Sequence, residues 1–150
     1  MKTSGRFRFP LQTVLKVRIL REELARLELA QAQGRLARSR KALAETETYI
    51  AGTLGRMKEE AVRNWKASEY QMLFRYLDHL KAARAGWQDQ VAQNEAVVKE
   101  KMLALEKCHQ ERQLLENLRE KKFVEFRREL TKFLENQSEA MVLARWRPSA

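Results

Sequence analysis

The chain has 150 residues and a formal net charge of +10, with 33% charged residues, 8% aromatic ones, one cysteine and two prolines. One cysteine excludes an intramolecular disulfide framework, and no apolar run reaches the ~18–20 residues that span a bilayer. The 137 residues between Pro10 and Pro148 are rich in Leu, Ala, Glu, Lys, Arg and Gln, which favours long coiled-coil helices over an ordinary packed globule.

Residues 1–20 carry five bases and no acid, and residues 119–150 carry eight bases and five acids. The intervening 98 residues are nearly balanced, with 17 bases and 15 acids. The positive charge therefore belongs to the two terminal segments, which points to an acidic partner there. Met1 to Arg6 lead into an amphipathic helix with no signal-type apolar core, so a cytoplasmic location is expected.

The first helix is predicted over about 10–62. Pro10 suits its first turn, where the missing N–H costs nothing. Val17, Leu20, Leu24 and Leu27 follow a 3-4-3 spacing and read as the opening of a seam. The frame then slips to Ala25, Leu29, Ala32, Leu36, Ser39, Leu43, Thr46, Ile50, Thr53 and Met57. Leu29, Leu36, Leu43, Ile50 and Met57 lie seven apart, the period of a left-handed two-helix supercoil. Small residues at Ala25, Ala32 and Ser39 make it a seam of close approach and modest buried area.

The chain is expected to reverse at about 63–68. Gly52 and Gly55 mark a competing position, but Asn64 suits a helix end, and Ser68-Glu69-Tyr70-Gln71 has the form of a capping box. The second helix is predicted over about 69–146. Its seam reads Tyr70, Leu73, Leu77, Leu80, Arg84, Trp87, Val91, Asn94, Val98, Lys101, Leu105, Cys108, Arg112 and Leu115. Asn94 is a candidate register-setting residue. The fold class is thus all-α, a two-helix antiparallel coiled-coil hairpin in one domain.

The arms are unequal. With the turn near residue 66, residue 11 lies opposite about residue 121. The remainder has no partner arm, yet carries Phe123, Phe126, Leu130, Phe133, Leu134, Met141, Leu143 and Trp146. An amphipathic helix with an uncovered aromatic face is a binding element. Beside it the bases Arg6, Arg8, Lys16, Arg18 and Arg21 come near Lys121, Lys122, Arg127 and Arg128. At the other end Tyr70, Leu73, Phe74, Tyr76 and Leu77 exceed what one seam can use, and Phe74 and Tyr76 are expected to stay partly exposed.

No catalytic, metal or cofactor site is expected. His79 and His109 are too far apart to converge, Cys108 falls on the seam, and no glycine-rich phosphate loop occurs. An enzyme is excluded by the same reading, because a two-helix hairpin offers no water-excluding pocket.

Phe7-Arg8-Phe9-Pro10-Leu11-Gln12-Thr13-Val14-Leu15-Lys16-Val17-Arg18, followed by Glu22, resembles the opening of the flagellar export protein family FliJ, Phe-x-Phe-x-Leu-x-x-Val-Leu-x-x-Arg. Tyr70-Gln71-Met72-Leu73 with Tyr76, Leu77 and Leu80 resembles the start of that family's second helix. Glu111-Arg112 with Leu114-Leu115-Glu116 and Leu118 resembles a later run. Glu135-Asn136-Gln137-Ser138-Glu139-Ala140 departs from the family's ending, which has an Asp-Glu pair.

The resemblance implies a non-catalytic stalk similar to the central stalk of rotary ATPases. It implies binding and stimulation of the hexameric flagellar export ATPase, a link to the membrane export gate, and escort of empty export chaperones. It places the protein at the cytoplasmic face of the inner membrane at the flagellar base, as a monomer in isolation. The ATPase surface is expected at Phe7, Phe9, Leu11, Arg18, Phe123, Phe126, Arg127, Arg128, Leu130 and Phe133. The gate surface is expected at Tyr70, Leu73, Phe74, Tyr76 and Leu77. The competing readings are the equivalent stalk of a virulence-type secretion system, a basic nucleic-acid-binding coiled coil, and a helix lying on anionic lipid.

Overall fold

Two helices account for nearly all of the structure: α1 (Gln12–Ala61) and α2 (Ala67–Arg145). The computed structural model describes residues 5–63 and 66–146. Among them there is no strand, no cis peptide bond and no positive φ. The chain divides into two units, residues 24–106 and residues 1–23 with 107–150.

In the 24–106 unit, α1 and α2 run antiparallel from the turn. The buried positions of α1 are Ala25, Ala32, Leu36, Ser39, Ile50, Thr46, Thr53 and Met57, with Leu29 and Leu43 half-buried between them. This is the expected seven-residue seam. Its hydroxyl residues are tolerated because each is satisfied within its own helix. Ser39 donates to the Leu36 carbonyl at 2.9 Å, Thr46 to Ala42 at 2.9 Å and Thr53 to Tyr49 at 2.8 Å. A seam hydroxyl bonded this way avoids the cost of an unpaired buried group.

The apolar core concentrates near the turn, where Ile50, Met57, Leu77 and Leu80 cluster with Tyr70 and Leu73 packed against them. Each such side chain contributes roughly 1.5–3 kcal/mol when fully buried. Farther along, polar contacts take over. The Asn94 amide donates to Ser39 Oγ at 3.1 Å and to the Arg35 carbonyl at 3.4 Å. Lys101 pairs with Glu28 at 3.2 Å, and Arg40 with Glu95 at 3.1 Å. A one-heptad slip towards Ala32 would take the hydroxyl partner from Asn94, so this residue contributes to register. Trp87, on the seam by spacing, keeps 39% exposure, as large indoles are seldom fully enclosed.

The Asn94–Ser39 contact fixes which residues face each other. Leu43→Cys with Val91→Cys, in a Cys108→Ser background, should form a disulfide within one chain, seen as a non-reducing mobility shift at monomer mass. Disulfides only between chains would rule out this pairing.

The helix ends differ from the capping-box expectation. Glu69 and Tyr70 donate backbone N–H groups to the Lys66 carbonyl at 3.1 and 3.3 Å. The helix therefore starts at Ala67, with Ser68 already in its first turn and not at the cap, and Glu69 well placed for the positive end of the helix dipole. Asn64, the expected end of the first helix, lies outside the described residues. Gly52 and Gly55 are ordinary helical positions within α1.

In the other unit, α1 begins after a turn closed by the Gln12 N–H on the Phe9 carbonyl at 3.1 Å, with Pro10 between them. Here the first seam expectation fails. The residues facing α2 are Leu15 and Glu22, both buried, with Arg18 half-buried between them. Val17 and Leu20 lie outside, at 42% and 63% exposure, and in the 24–106 unit Leu24 and Leu27 are exposed as well. The physical reason is the period: residues 15, 22 and 29 continue the frame of 36, 43, 50 and 57 without a slip. A charged residue at 22 holds the frame because its partners come with it.

Candidate functional site

Two surfaces among the described residues combine exposed aromatic side chains with a groove. The first belongs to the unit that contains both termini. Phe7 precedes α1 and folds onto α2, its ring 5.3 Å from Phe123 in an edge-on arrangement and 5.6 Å from Phe126 in a tilted one. The Arg119 guanidinium lies 5.7 Å from the Phe7 ring centre and also donates to the Gln12 side chain at 3.1 Å. Such a cation–π contact contributes about 0.5–1 kcal/mol at an exposed site. Phe9 is buried. A groove of about 760 Å³ remains between this segment and α2, lined by Phe7, Phe9, Leu118 and Phe126 together with Arg6, Arg8 and Lys122.

The same unit carries a charged network. The Glu22 carboxylate, 3% exposed, accepts from the Arg112 guanidinium and lies 3.2 Å from His109 Nδ1. Arg112 also pairs with Glu116 at 2.6 Å. The Glu22 and Glu116 carboxylates hold the Arg112 guanidinium above its ordinary range. Arg112 Nη2 lies 3.1 Å from the same His109 nitrogen. That nitrogen either donates to Glu22 or accepts from Arg112, so its tautomer selects one contact. One turn away Arg18 pairs with Glu111 at 2.6 Å.

The expected terminal surface is thus only partly a surface. Phe9 is core, Arg18 is committed to Glu111, and Phe7 and Phe126 are half-buried against each other, while Phe123 stays exposed at 37%. Leu11, Arg127, Arg128 and Phe133 remain exposed, and Leu130 is half-buried. Residues 131–146 are exposed throughout, including Phe133, Leu134, Met141, Val142, Leu143 and Trp146. Sequence reasoning missed Glu22 and His109. The signal was present, because Glu22 stands seven residues before Leu29.

The second surface lies near the turn. Phe74 and Tyr76 are 47% and 45% exposed, and the Tyr70 and Phe74 rings meet edge-on at 5.1 Å. A groove of about 740 Å³ runs beside them, lined by Leu54, Met57, Tyr70, Phe74, Leu77 and Lys81. Leu77 is 4% exposed and belongs to the core, so of the five residues expected here it cannot offer its side chain freely to a partner. Leu73 packs against the same core.

Among the described residues no group of three His, Cys, Asp or Glu could hold a metal ion, and no helix is long and apolar enough to cross a membrane. Two long helices with a polar-stitched seam define a coiled-coil protein. The family model described as flagellar FliJ protein matches residues 7–137, and the chain belongs to that family, whose members are coiled-coil proteins associated with flagellar export. No curated protein and no solved structure matches the chain.

Proposed function

We propose that the chain is the non-catalytic stalk of the flagellar export apparatus: it binds and stimulates the hexameric export ATPase, links it to the membrane export gate and escorts empty export chaperones. The terminal unit serves the ATPase, and Phe74 and Tyr76 serve the gate. The protein works at the cytoplasmic face of the inner membrane. The observation that carries this reading is the end of α2, where residues 131–146 expose an aromatic and aliphatic face that no described part of the chain covers. Leaving such a face bare invites aggregation, so it calls for a protein partner. Exposed Arg127 and Arg128 speed the encounter, and the apolar face holds the complex.

The test is ATPase stimulation by the full chain carrying Phe133→Ser with Leu134→Ser. Both side chains are outside the hairpin's own packing, so helicity should be unchanged. Half-maximal stimulation should then need at least about tenfold more protein, given roughly 1.5–3 kcal/mol per buried side chain. Stimulation at the wild-type concentration would refute the assignment of this end to the ATPase.

A further inference from the structure

The last turns of α2 carry exposed apolar residues on two opposite faces. Phe133, Leu134 and Met141 lie on one. Glu135, Ser138, Glu139, Val142 and Leu143, three and four residues apart, share the other and line a shallow depression there, as helical spacing requires. Residues 133–144 contain two acids and no base. This second face is therefore apolar and negatively charged, and the contact proposed above through Phe133 and Leu134 leaves it unused.

The groove beside the turn is its complement. Leu54, Tyr70, Phe74 and Leu77 supply the apolar lining, Lys58 and Lys81 the charge, and no carboxylate lines it. Its α1 wall is low, with Ala51, Gly55 and Ala61 between the larger side chains, and a Cβ placed on Gly55 would meet nothing within 4 Å. The space suits a helix laid along it. Among the described residues neither of these lysines, and neither Glu135 nor Glu139, takes part in an ion pair.

We propose that the groove receives the 135–143 face of a second copy of the chain. Two unpaired carboxylates one turn apart then meet two unpaired ammonium groups, and the apolar members of each surface cover one another. With Glu135 beside Lys81 and Glu139 beside Lys58, Val142 and Leu143 fall towards Phe74 and Tyr70. Opposite charges guide the encounter and fix the register, and the covered apolar side chains hold the contact. A basic helix face would meet repulsion at both lysines. Groove and face are different surfaces, so the contact is heterologous, and one copy can give its tail to one neighbour and its groove to another.

The groove is the surface assigned above to the gate, so a second copy and the gate exclude one another there. That consequence rests on the export reading, whereas the pairing and its test need this chain alone.

Charge reversal in the full chain tests it, read by sedimentation equilibrium. The wild-type apparent mass should rise above 17.7 kDa as concentration increases. Lys58→Glu with Lys81→Glu, and separately Glu135→Lys with Glu139→Lys, should each weaken association by at least about tenfold. Helicity should be retained, because all four side chains are exposed. Mixing the two variants sets a reversed groove against a reversed face and should restore association. A wild-type chain that stays at monomer mass, a reversed variant that associates as the wild type does, or a mixture that stays apart overturns the proposal.

The seat is read by disulfides in a Cys108→Ser background. Chains carrying Phe74→Cys and Leu143→Cys should crosslink to each other when mixed. Crosslinks formed only between two Leu143→Cys chains would show the tail meeting itself and reject the groove as its seat.

Discussion

Glu22→Ala should lower the midpoint of thermal unfolding by about 5–10 °C, followed by circular dichroism at 222 nm. The carboxylate is nearly inaccessible, accepts from Arg112 and lies 3.2 Å from His109 Nδ1. Its removal leaves the guanidinium with Glu116 and the His109 nitrogen and takes the carboxylate from the imidazole. Glu22→Leu with Arg112→Leu should recover most of the loss, because breaking a buried pair costs more than replacing it with packed hydrocarbon. The sign of the arginine shift adds a constraint. A folded-state pKa raised above the unfolded one contributes stability at every pH below the unfolded value and loses it only as pH rises through the folded value. For Arg112 that window is strongly alkaline, so its own titration contributes no slope between pH 6 and 9. A Glu22→Ala chain melting within 2 °C of wild type would show that the network is incidental.

Leu77→Ala should cost about 2–4 kcal/mol in urea unfolding, the largest effect of any single truncation near the turn. Leu77 sits in the densest apolar cluster of the chain, against Ile50, Met57 and Leu80. Removing three carbons leaves a cavity that a two-helix interface closes only in part. Leu24→Ala, the same chemical change at an exposed position, should cost under about 0.5 kcal/mol. Equal losses at the two positions would contradict the placement of the seam.

That contrast marks what could be read in advance. The seam from Leu29 to Met57 was legible because a large apolar residue recurs every seventh position, and Asn94 as a register residue because it stood on the opposing line. The N-terminal stretch misled because two lines of leucine-compatible spacing compete there. Apolarity favours Val17, Leu20, Leu24 and Leu27, whereas period favours Leu15, Glu22 and Leu29, and period won. A glutamate on a seam reads as an error until its partners Arg112 and His109 are seen, and these lie about 90 residues away in sequence. Leu77 showed the reverse problem, since an apolar cluster near a turn does not reveal which members the core will claim. The fold of Phe7 onto Phe123 and Phe126 lay beyond periodicity altogether, because the segment before Gln12 is not helical.

The hairpin order also has a consequence in time. Within residues 24–106, the Ile50 and Leu80 pair closes 30 residues of chain, whereas Glu28 and Lys101 close 73. Loop closure grows only logarithmically with length, by about 0.6 kcal/mol per doubling. The entropic handicap of the distant pair is thus on the order of 1 kcal/mol. The contacts differ by more than this, with a hydrocarbon cluster near the turn and a half-exposed ion pair far from it. Both gradients run the same way and favour pairing that starts at the turn, with the polar stitches joining a seam the apolar cluster has already aligned.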